Sequence, residues 1–374
     1  MRSGHSARAS STPSSTASSM TIPRRYAFLA FTAAFLVIIF LAHQNGYTLP
    51  PHGPSRFGIS ASVSGAAGYT AAIVYLLSVL PGPRLPHQIF DSMSLMQKHI
   101  PWRHQWPILL LHAGAYDDSD SRELFVEMLR DKAAEHGLSS EVIDGMVRRL
   151  EFVRTDHELP EGIPATGAND DPIWAQEWPG YHMMCSFYSH KIFSHPRIKD
   201  LTYYLRLDDD SSVLSPTCID PFEYMHVHNK SYAYQHVSPD MGWVTDGLWP
   251  FISNYAKRHP SVEAQLARND WEWPEGRTWP GVESEYAWSE NFPSYETNFD
   301  LVKVPRWRTP EMQEFLKELA SEPRRFYFSR WGDAPIRMAQ VAMFLDIEKE
   351  VHQMCEISYA HKAFIFEECP CVPL

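Results

Sequence analysis

An apolar run that ends abruptly in carboxylates, at residues 203–210, constrains the fold more than any other stretch of this chain. It reads Tyr-Tyr-Leu-Arg-Leu-Asp-Asp-Asp. A continuous apolar segment is typical of a strand that is buried on both faces of a parallel sheet. In open α/β sheets, ligands bind beyond the carboxyl ends of such strands. The pattern therefore predicts an α/β fold with a largely parallel central sheet and a polar site at the end of this strand.

The three consecutive aspartates are the first candidate functional residues. Because side chains alternate along an extended chain, Asp208 and Asp210 point to one side and Asp209 to the other. Crowded carboxylates repel one another, and a divalent cation such as Mg²⁺ or Mn²⁺, which prefers oxygen ligands, relieves this repulsion. The alternative is a solvated acidic turn in which one aspartate caps the next helix. The apolar strand before the aspartates favours the metal site.

The composition indicates a large folded protein that does not bind nucleic acid. The 374 residues are 44% hydrophobic, which allows one large domain or two smaller ones. The formal net charge is −12 and no Lys/Arg-rich stretch is visible, so we expect no nucleic-acid partner. The twelve Trp and seventeen Tyr residues fill cores in such proteins and also form platforms for sugar rings.

The five cysteines favour disulfides over a zinc site. They are Cys185, Cys218, Cys355, Cys369 and Cys371, and none forms the paired C-x-x-C spacing of zinc sites. In an oxidising compartment, Cys369 and Cys371 predict that a disulfide fixes the C-terminal segment. The sequence leaves the pairing open, and the odd total leaves at least one thiol unpaired within the chain.

The N-terminal region predicts a membrane anchor. Residues 1–25 are rich in Ser, Thr, Ala and Arg and are expected to form a disordered cytosolic tail. Residues 26–42 form an uncharged apolar run at the short end of what spans a bilayer. Arginines are concentrated before this run, so the positive-inside rule places the remainder of the chain across the membrane. A cleaved signal peptide is the alternative, and the length of the run disfavours it.

The segment after the apolar run predicts a stem in the lumen of a secretory compartment. Residues 43–69 are rich in Pro, Gly and Ser, as linkers are. A short span suits the thinner membranes of the Golgi or endoplasmic reticulum. The glycosylation sequon Asn229-Lys230-Ser231 agrees with a luminal position.

Residues 70–374 are predicted to form the folded domain. A strand at 71–80, a helix at 87–99 and a strand at 106–112 form a βαβ unit. Other predicted elements are a helix pair within 117–136, a strand at 151–153, a helix at 182–193, a short helix opened by Asp220, a strand at 232–234, helices at 248–259 and 311–320, and a helix that ends at 345. The aromatic segment 271–299 is interpreted either as a loop that lines an acceptor groove or as a surface-packed loop.

Two further residues have simple structural interpretations when they are considered alone. Asp333 precedes the last long helix and is predicted to cap it, with Pro335 in the first turn. A single histidine such as His361 is typical of a polar residue with structural partners. Any role of these residues in binding therefore needs support from a larger pattern.

Six stretches together provide that pattern. They are YHMMCSFYSHKIF at 181–193, YYLRLDDD at 203–210, IDPFEYM at 219–225, TNFDL at 297–301, RWGDAP at 330–335 and ISYAHKAF at 357–364. With them, the chain from about residue 70 resembles the fungal-type Golgi α-1,2-mannosyltransferases, glycosyltransferase family 15. The resemblance implies a type II Golgi membrane enzyme with a glycosyltransferase-A-type fold. It also implies transfer of mannose from GDP-mannose to mannosyl acceptors, use of Mn²⁺ and retention of the anomeric configuration.

The resemblance assigns a metal and donor site to five residues. Asp208, Asp210 and His361 match the residues that bind Mn²⁺ in the family, and the metal in turn contacts the donor diphosphate. Arg206 matches the arginine before the acidic ligands, where it adds positive potential. Tyr181 matches the tyrosine that opens the helix containing Met and Cys.

Two more aspartates belong to the expected site, and several positions depart from the family pattern, among them Asp208-Asp209-Asp210 in place of Glu-Pro-Asp and Asp300 in place of the usual Glu. Asp300 matches the carboxylate on the reactive face of the donor sugar and is the expected catalytic residue. Asp333, within the RWGDAP stretch, is expected to help bind the donor. Ser186 replaces an arginine, Ser358 replaces a glycine, and the strand at 71–80 lacks the arginine that commonly follows it in relatives.

Other functions remain open at this point. A glycosyltransferase of the same fold could use another nucleotide sugar, such as GDP-fucose or UDP-galactose. An inactive, membrane-anchored glycan-binding protein could also keep the fold. A glycosidase is disfavoured, because its paired carboxylates flank a sugar and are not clustered in a triplet. The sequence does not identify the acceptor, which is an N-glycan, an O-glycan or a glycolipid.

Overall fold

The computed structural model describes residues 68–78, 87–165, 178–270, 291–362, 364–366 and 369–371. These residues lie within one compact unit, Gly58–Leu374. The predicted tail and membrane anchor, nearly all of the predicted stem, and most of the aromatic segment 271–299 lie outside the described residues. Among the helices that are described, none is long and apolar enough to cross a membrane.

A seven-stranded mixed sheet forms the centre of the unit. The described strands are β1 (Ala71–Ser78), β2 (Ile108–His112), β3 (Leu150–Arg154), β4 (Tyr203–Leu207), β5 (Ser211–Val213), β6 (Tyr232–Tyr234), β7 (Val237–Met241), β8 (Asn291–Tyr295), β9 (Phe299–Lys303), β10 (Val351–Gln353), β11 (Tyr359–His361) and β12 (Phe364–Ile365). The order in the central sheet is β10-β6-β9-β4-β1-β2-β3. Strand β9 is antiparallel to β4 and β6, and the other pairs are parallel. The predicted largely parallel sheet is confirmed, with one reversed strand inside it.

Helices surround this sheet. The described α-helices are α1 (His87–His99), α2 (Ser119–Glu135), α3 (Ser140–Val147), α4 (Gly180–Ser189), α5 (Pro221–Val227), α6 (Leu248–Arg258), α7 (Pro260–Arg268), α8 (Val304–Trp307), α9 (Pro310–Ala320), α10 (Arg324–Tyr327), α11 (Asp333–Phe344) and α12 (Ile347–Glu350). The predicted βαβ unit is confirmed, since α1 connects the parallel strands β1 and β2. Asp220 caps α5 as predicted, because its side chain accepts the amide hydrogens of Phe222 and Glu223.

The predicted helix pair within residues 117–136 is wrong. A single helix, α2, occupies this region, and its N-cap residue Asp118 accepts a hydrogen bond from the amide of Ser121. The next helix begins only at Ser140, after Gly137, which adopts a positive φ of 79°. Glycine tolerates this backbone conformation and commonly ends helices. The break between the two helices therefore lies after residues 117–136 and not within them.

The two faces of the central sheet pack into separate hydrophobic clusters. Val74 and Tyr204 belong to one cluster, which also contains residues of α4 and α11. Their neighbours Tyr75 and Leu205 belong to the other cluster, which contains residues of α1 and α2. Because successive side chains alternate between faces, β1 and β4 are buried on both sides. The apolar run before the aspartates is thus the buried strand that its sequence predicted.

A small antiparallel sheet with the order β12-β11-β5 begins directly after the aspartates. Two disulfides, Cys218–Cys371 and Cys355–Cys369, connect the segments around it. The prediction that disulfides fix the C-terminal segment is confirmed, and the pairing that the sequence left open is now assigned. Cys185 is free and buried.

Candidate functional site

Three expected metal ligands converge at the carboxyl end of β4. Asp208, Asp210 and His361 each present a potential ligand atom, and these atoms all lie within 4.8 Å of one another. The Nε2 atom of His361 lies 2.9 Å from Oδ1 of Asp210. Two carboxylates and an imidazole form a mixed oxygen and nitrogen donor set that suits Mn²⁺. The side chains present at this position therefore fit the metal that the family resemblance implies.

Main-chain pairing brings the distant histidine to the aspartates. Strand β11 is antiparallel to β5, and His361 lies opposite Ser211, the residue that follows Asp210. The turn between β4 and β5 is closed by the amide of Ser211, which donates to the carbonyl oxygen of Asp208 at 3.1 Å. The position of the imidazole is thus set by the register of two short strands.

Arg206 is the buried cation of the site. Its Nε donates to Oδ1 of Asp208 at 2.9 Å, and its Nη1 donates to Oδ2 of Asp333. The guanidinium carbon lies 3.6 Å from the ring centroid of Tyr188. Burial by itself lowers the pKa of Arg206, but the carboxylates of Asp208 and Asp333 outweigh it and hold the pKa well above its usual value. Arg206 therefore stays charged and orients Asp208.

The two metal-site carboxylates have different electrostatic environments. Burial raises the pKa of Asp208, and Arg206 only partly opposes this effect. Burial acts in the same direction on Asp210, but the hydrogen bond from His361 and the neighbouring positive charges bring its pKa below the usual value. A bound divalent cation favours the ionised form of both groups. The site is therefore more suited to a cation than to an uncharged ligand.

Asp333 does not cap α11, in contrast to the sequence prediction. The helix begins at Asp333, and Gly332 is the N-cap residue, without a side-chain hydrogen bond. The Asp333 carboxylate instead accepts hydrogen bonds from Arg206 and from Oγ1 of Thr297, the latter at 2.8 Å. Burial raises its pKa, but Arg206 reverses the effect and leaves the pKa lowered. Asp333, which is only 4% exposed, therefore positions Arg206, and its direct contact with a donor stays a prediction.

Tyr181 lies in the first turn of α4, as the sequence predicted, next to a cation that the sequence analysis missed. The guanidinium carbon of Arg330 lies 4.8 Å from the ring centroid of Tyr181. Burial raises the pKa of the Tyr181 phenol. Arg330 adopts a positive φ of 55° and lies three residues before the start of α11. Arg330 and Tyr188 both lie within family-like stretches, which was a signal, but nothing in the local pattern distinguished them.

Asp300, the expected catalytic residue, is buried in the central sheet, and its expected role at the sugar stays a prediction. Asp300 lies on β9 directly opposite Arg206. Its side chain is 0% exposed, and Oδ2 accepts hydrogen bonds from Nη2 of Arg337 and Oη of Tyr204, both at 3.1 Å. Arg337, on α11, provides the opposite charge for this carboxylate. The sequence does not indicate this pair, because it is a tertiary contact.

Comparison with protein families and curated proteins identifies relatives. Residues 165–374 match the family model described as glycolipid 2-alpha-mannosyltransferase. "Probable mannosyltransferase KTR4" of Saccharomyces cerevisiae is 23% identical, over 76% of this chain and 59% of the relative. "O-glycoside alpha-1,2-mannosyltransferase omh1" of Schizosaccharomyces pombe is 29% identical, over 63% of this chain and 58% of the relative. The chain thus spans less than two thirds of the length of these relatives.

Solved structures share the fold. The mannosyltransferase Ktr4p from S. cerevisiae in complex with GDP has a TM-score of 0.60 at 19% identity, over 90% of this chain and 83% of that chain. Core-mannan synthase A from Aspergillus fumigatus, in its Mn/GDP form, has a TM-score of 0.59 at 17% identity, over 86% of this chain and 87% of that chain. The predicted α/β glycosyltransferase fold is therefore confirmed. Because the family model covers more than half of the sequence, this chain belongs to glycosyltransferase family 15, the glycolipid 2-alpha-mannosyltransferase family.

Proposed function

We propose that this protein is a Mn²⁺-dependent α-1,2-mannosyltransferase that transfers mannose from GDP-mannose to a mannosylated glycan acceptor, with retention of configuration. The observation that carries this proposal is the convergence of Asp208, Asp210 and His361 at the end of β4, within the fold of the family. The relative omh1 is named an α-1,2-mannosyltransferase, and core-mannan synthase A has a structure in a Mn/GDP form. These relatives support the linkage, the metal and the nucleotide.

The residues of the site have separate roles in this proposal. Asp208, Asp210 and His361 hold Mn²⁺, whose chemistry when bound is to neutralise the charge on the departing diphosphate. Arg206 fixes Asp208 and adds positive potential beside the phosphates. Asp333 accepts a hydrogen bond from Arg206 and so holds its guanidinium in place. It therefore supports the donor site indirectly.

Tyr181 is a further proposed donor contact. Its ring faces Arg330, and it is half-buried at the N-terminal end of α4. An aromatic ring beside a guanidinium forms a rigid polar surface of the kind that binds sugars and nucleotides. We therefore keep Tyr181 in the donor site and add Arg330 to it.

Asp300 stays the proposed catalytic carboxylate at the anomeric carbon. Retention fits either a covalent intermediate or attack on the same face as the leaving group. In a covalent route, the Asp300 carboxylate, whose Oδ2 accepts hydrogen bonds from Arg337 and Tyr204, would have to reach the sugar. In the same-face route, Asp300 would instead stabilise the positive charge that develops on the sugar.

We place the enzyme in the Golgi, as a single-pass type II membrane protein with a luminal catalytic domain. Arginines precede the apolar run 26–42, which supports this orientation. The two disulfides support an oxidising compartment. Asn229 of the sequon is exposed, as a glycosylated residue must be.

The proposal is tested with the full-length protein, three donors and a mannoside acceptor. GDP-mannose, GDP-fucose and UDP-galactose are supplied with and without Mn²⁺, and released nucleotide and product linkage are measured. We expect release from GDP-mannose only, loss of release with a chelator, and an α-1,2-linked product. Turnover of another donor would favour the alternative glycosyltransferase, and no release from any donor would favour the inactive glycan-binding protein.

Loss of the disulfide between Cys355 and Cys369 is expected to weaken Mn²⁺ binding more than it weakens the fold. The two cysteines are 14 residues apart and enclose β11 with His361. Without the disulfide, this segment must be ordered when the metal binds. The double replacement by serine should raise the Mn²⁺ dissociation constant by about tenfold, a typical effect of groups that orient metal ligands.

The measurement is a Mn²⁺ titration followed by electron paramagnetic resonance, with circular dichroism to monitor the fold. Mild reduction of the wild-type protein, which also opens the Cys218–Cys371 disulfide, should weaken Mn²⁺ binding at least as much. Loss of secondary structure with unchanged Mn²⁺ affinity of the remaining folded protein would contradict the prediction.

A further inference from the structure

Tyr359 is a buried residue beside the metal ligands that has no role in the mechanism above. It lies on β11, two residues before His361, and is 0% exposed. Because side chains alternate along a strand, Tyr359 and His361 leave β11 on the same side. Its ring packs edge-on against Phe299, with centroids 5.4 Å apart, and stacks with Phe366 at 5.6 Å. This packing accounts for the ring but not for the hydroxyl.

The Tyr359 hydroxyl joins a buried hydrogen-bond network. Its Oη atom lies 2.6 Å from Oγ of Ser211, 2.9 Å from Oδ1 of Asn298 and 3.0 Å from the carbonyl oxygen of Asn298. Ser211 Oγ donates to the same carbonyl at 3.1 Å. The network therefore connects β11 to the start of β5 and to the residue before β9.

The same network ends at a metal ligand. The amide of Asp208 donates to Ser211 Oγ at 3.2 Å and to the carbonyl oxygen of Asn298 at 3.1 Å. Ser211 Oγ thus accepts from the Asp208 main chain on one side and contacts the Tyr359 hydroxyl on the other. Two hydrogen bonds separate the Asp208 backbone from the strand that carries His361.

We propose that Tyr359 and Ser211 are positioning residues that fix the strand of His361 against the turn of Asp208 and so preform the metal site. The inference rests on the proposed function, since it takes Asp208, Asp210 and His361 as metal ligands. The short ladder between β5 and β11 sets the register, and the buried network fixes the separation of the two segments. A preformed site binds more tightly, because less ordering accompanies metal binding.

Conservative substitutions separate this role from general packing. Tyr359→Phe keeps the ring against Phe299 and Phe366 and removes only the hydroxyl. Ser211→Ala removes the group between Tyr359 and Asp208. Tyr255→Phe is the matched control, because Tyr255 is 1% exposed and its hydroxyl contacts only the carbonyl oxygen of Glu311, at 3.5 Å, among its described hydrogen bonds.

The experiment measures the dissociation constant for Mn²⁺ alone, from the electron paramagnetic resonance signal of the free ion, with full-length protein. The unfolding temperature in chelator and amide hydrogen exchange of residues 208–211 and 359–361 are measured in parallel. We expect Tyr359→Phe and Ser211→Ala each to raise the dissociation constant by about 10- to 100-fold. Their combination should add little, because both interrupt one network, and Tyr255→Phe should match the wild type.

The outcomes distinguish this inference from the proposed function. The inference is overturned if Tyr359→Phe binds Mn²⁺ within about twofold of the wild-type affinity, or if Tyr255→Phe loses as much affinity as Tyr359→Phe. If Tyr359→Phe does not fold, the Mn²⁺ affinity of Ser211→Ala decides. If neither variant folds, the inference is also overturned, because the network then maintains the whole fold. If the wild type binds no Mn²⁺, the proposed function fails. Hydrogen exchange then decides whether the two segments are coupled: faster exchange supports coupling, and unchanged exchange overturns it.

Discussion

Asp210→Asn is expected to reduce mannosyl transfer by about 1,000-fold or more while leaving the fold intact, a loss of about 4 kcal/mol of transition-state stabilisation. Asparagine keeps the shape of the side chain but removes the charge that binds the cation. Asp210 is half-buried and bonded to His361, so its replacement also leaves the imidazole without its acidic partner. Initial rates of GDP release and a Mn²⁺ titration measure the effect.

Asp209→Asn is the matched control for this experiment. Asp209 is the same residue type in the same turn, but it is not among the three residues whose potential ligand atoms lie within 4.8 Å of one another. Its replacement should leave the rate within about threefold of the wild type. Equal losses in both variants would show that the general acidity of the turn matters, and would contradict a specific ligand set.

Asp300→Asn is expected to lower the free energy of unfolding by about 3–5 kcal/mol. The ion pair between Asp300 and Arg337 is almost fully enclosed, with side chains 0% and 1% exposed. Removal of the negative charge leaves the Arg337 guanidinium buried without an ionic partner. Replacing both residues, as in Asp300→Asn with Arg337→Met, should recover much of the loss, because no unpaired charge then remains. Urea unfolding of the protein measures both variants.

An exposed ion pair of the same chain provides the comparison. Arg130 and Asp144 form a bond of 2.6 Å, with side chains 44% and 46% exposed. Asp144→Asn should cost less than about 1 kcal/mol, because water screens such pairs. If Asp300→Asn retained normal stability and yet lost turnover, the carboxylate would act on the substrate as the sequence first indicated. The enclosure seen here would then have to open during the reaction.

Local patterns were sufficient to predict the elements that place the site. The apolar run 203–207 and the aspartates after it gave the buried strand β4 and the position of Asp208 and Asp210. Helix α1 was predicted with its observed bounds, because its apolar residues recur at helical spacing. These features depend on neighbouring residues only, so a single sequence contains them.

The features that the sequence did not predict concern contacts between residues that are distant in the chain. Asp333 has the residue type and position of a helix cap, but Arg206 competes for its carboxylate and provides the stronger charged partner. The enclosure of Asp300 depends on Arg337, which approaches it only after α11 packs on the sheet. The disulfide pairing and the reversed direction of β9 are likewise set by tertiary packing, which no local pattern encodes.

The position of His361 along the polypeptide has a consequence for biosynthesis. The carboxylates of Asp208 and Asp210 are synthesised before β9 and β10, whereas the imidazole comes on β11, after every strand of the central sheet. At translation rates of about 5–20 residues per second, the interval is on the order of ten seconds. A nascent chain therefore presents an incomplete set of the proposed ligands until β11 has been synthesised.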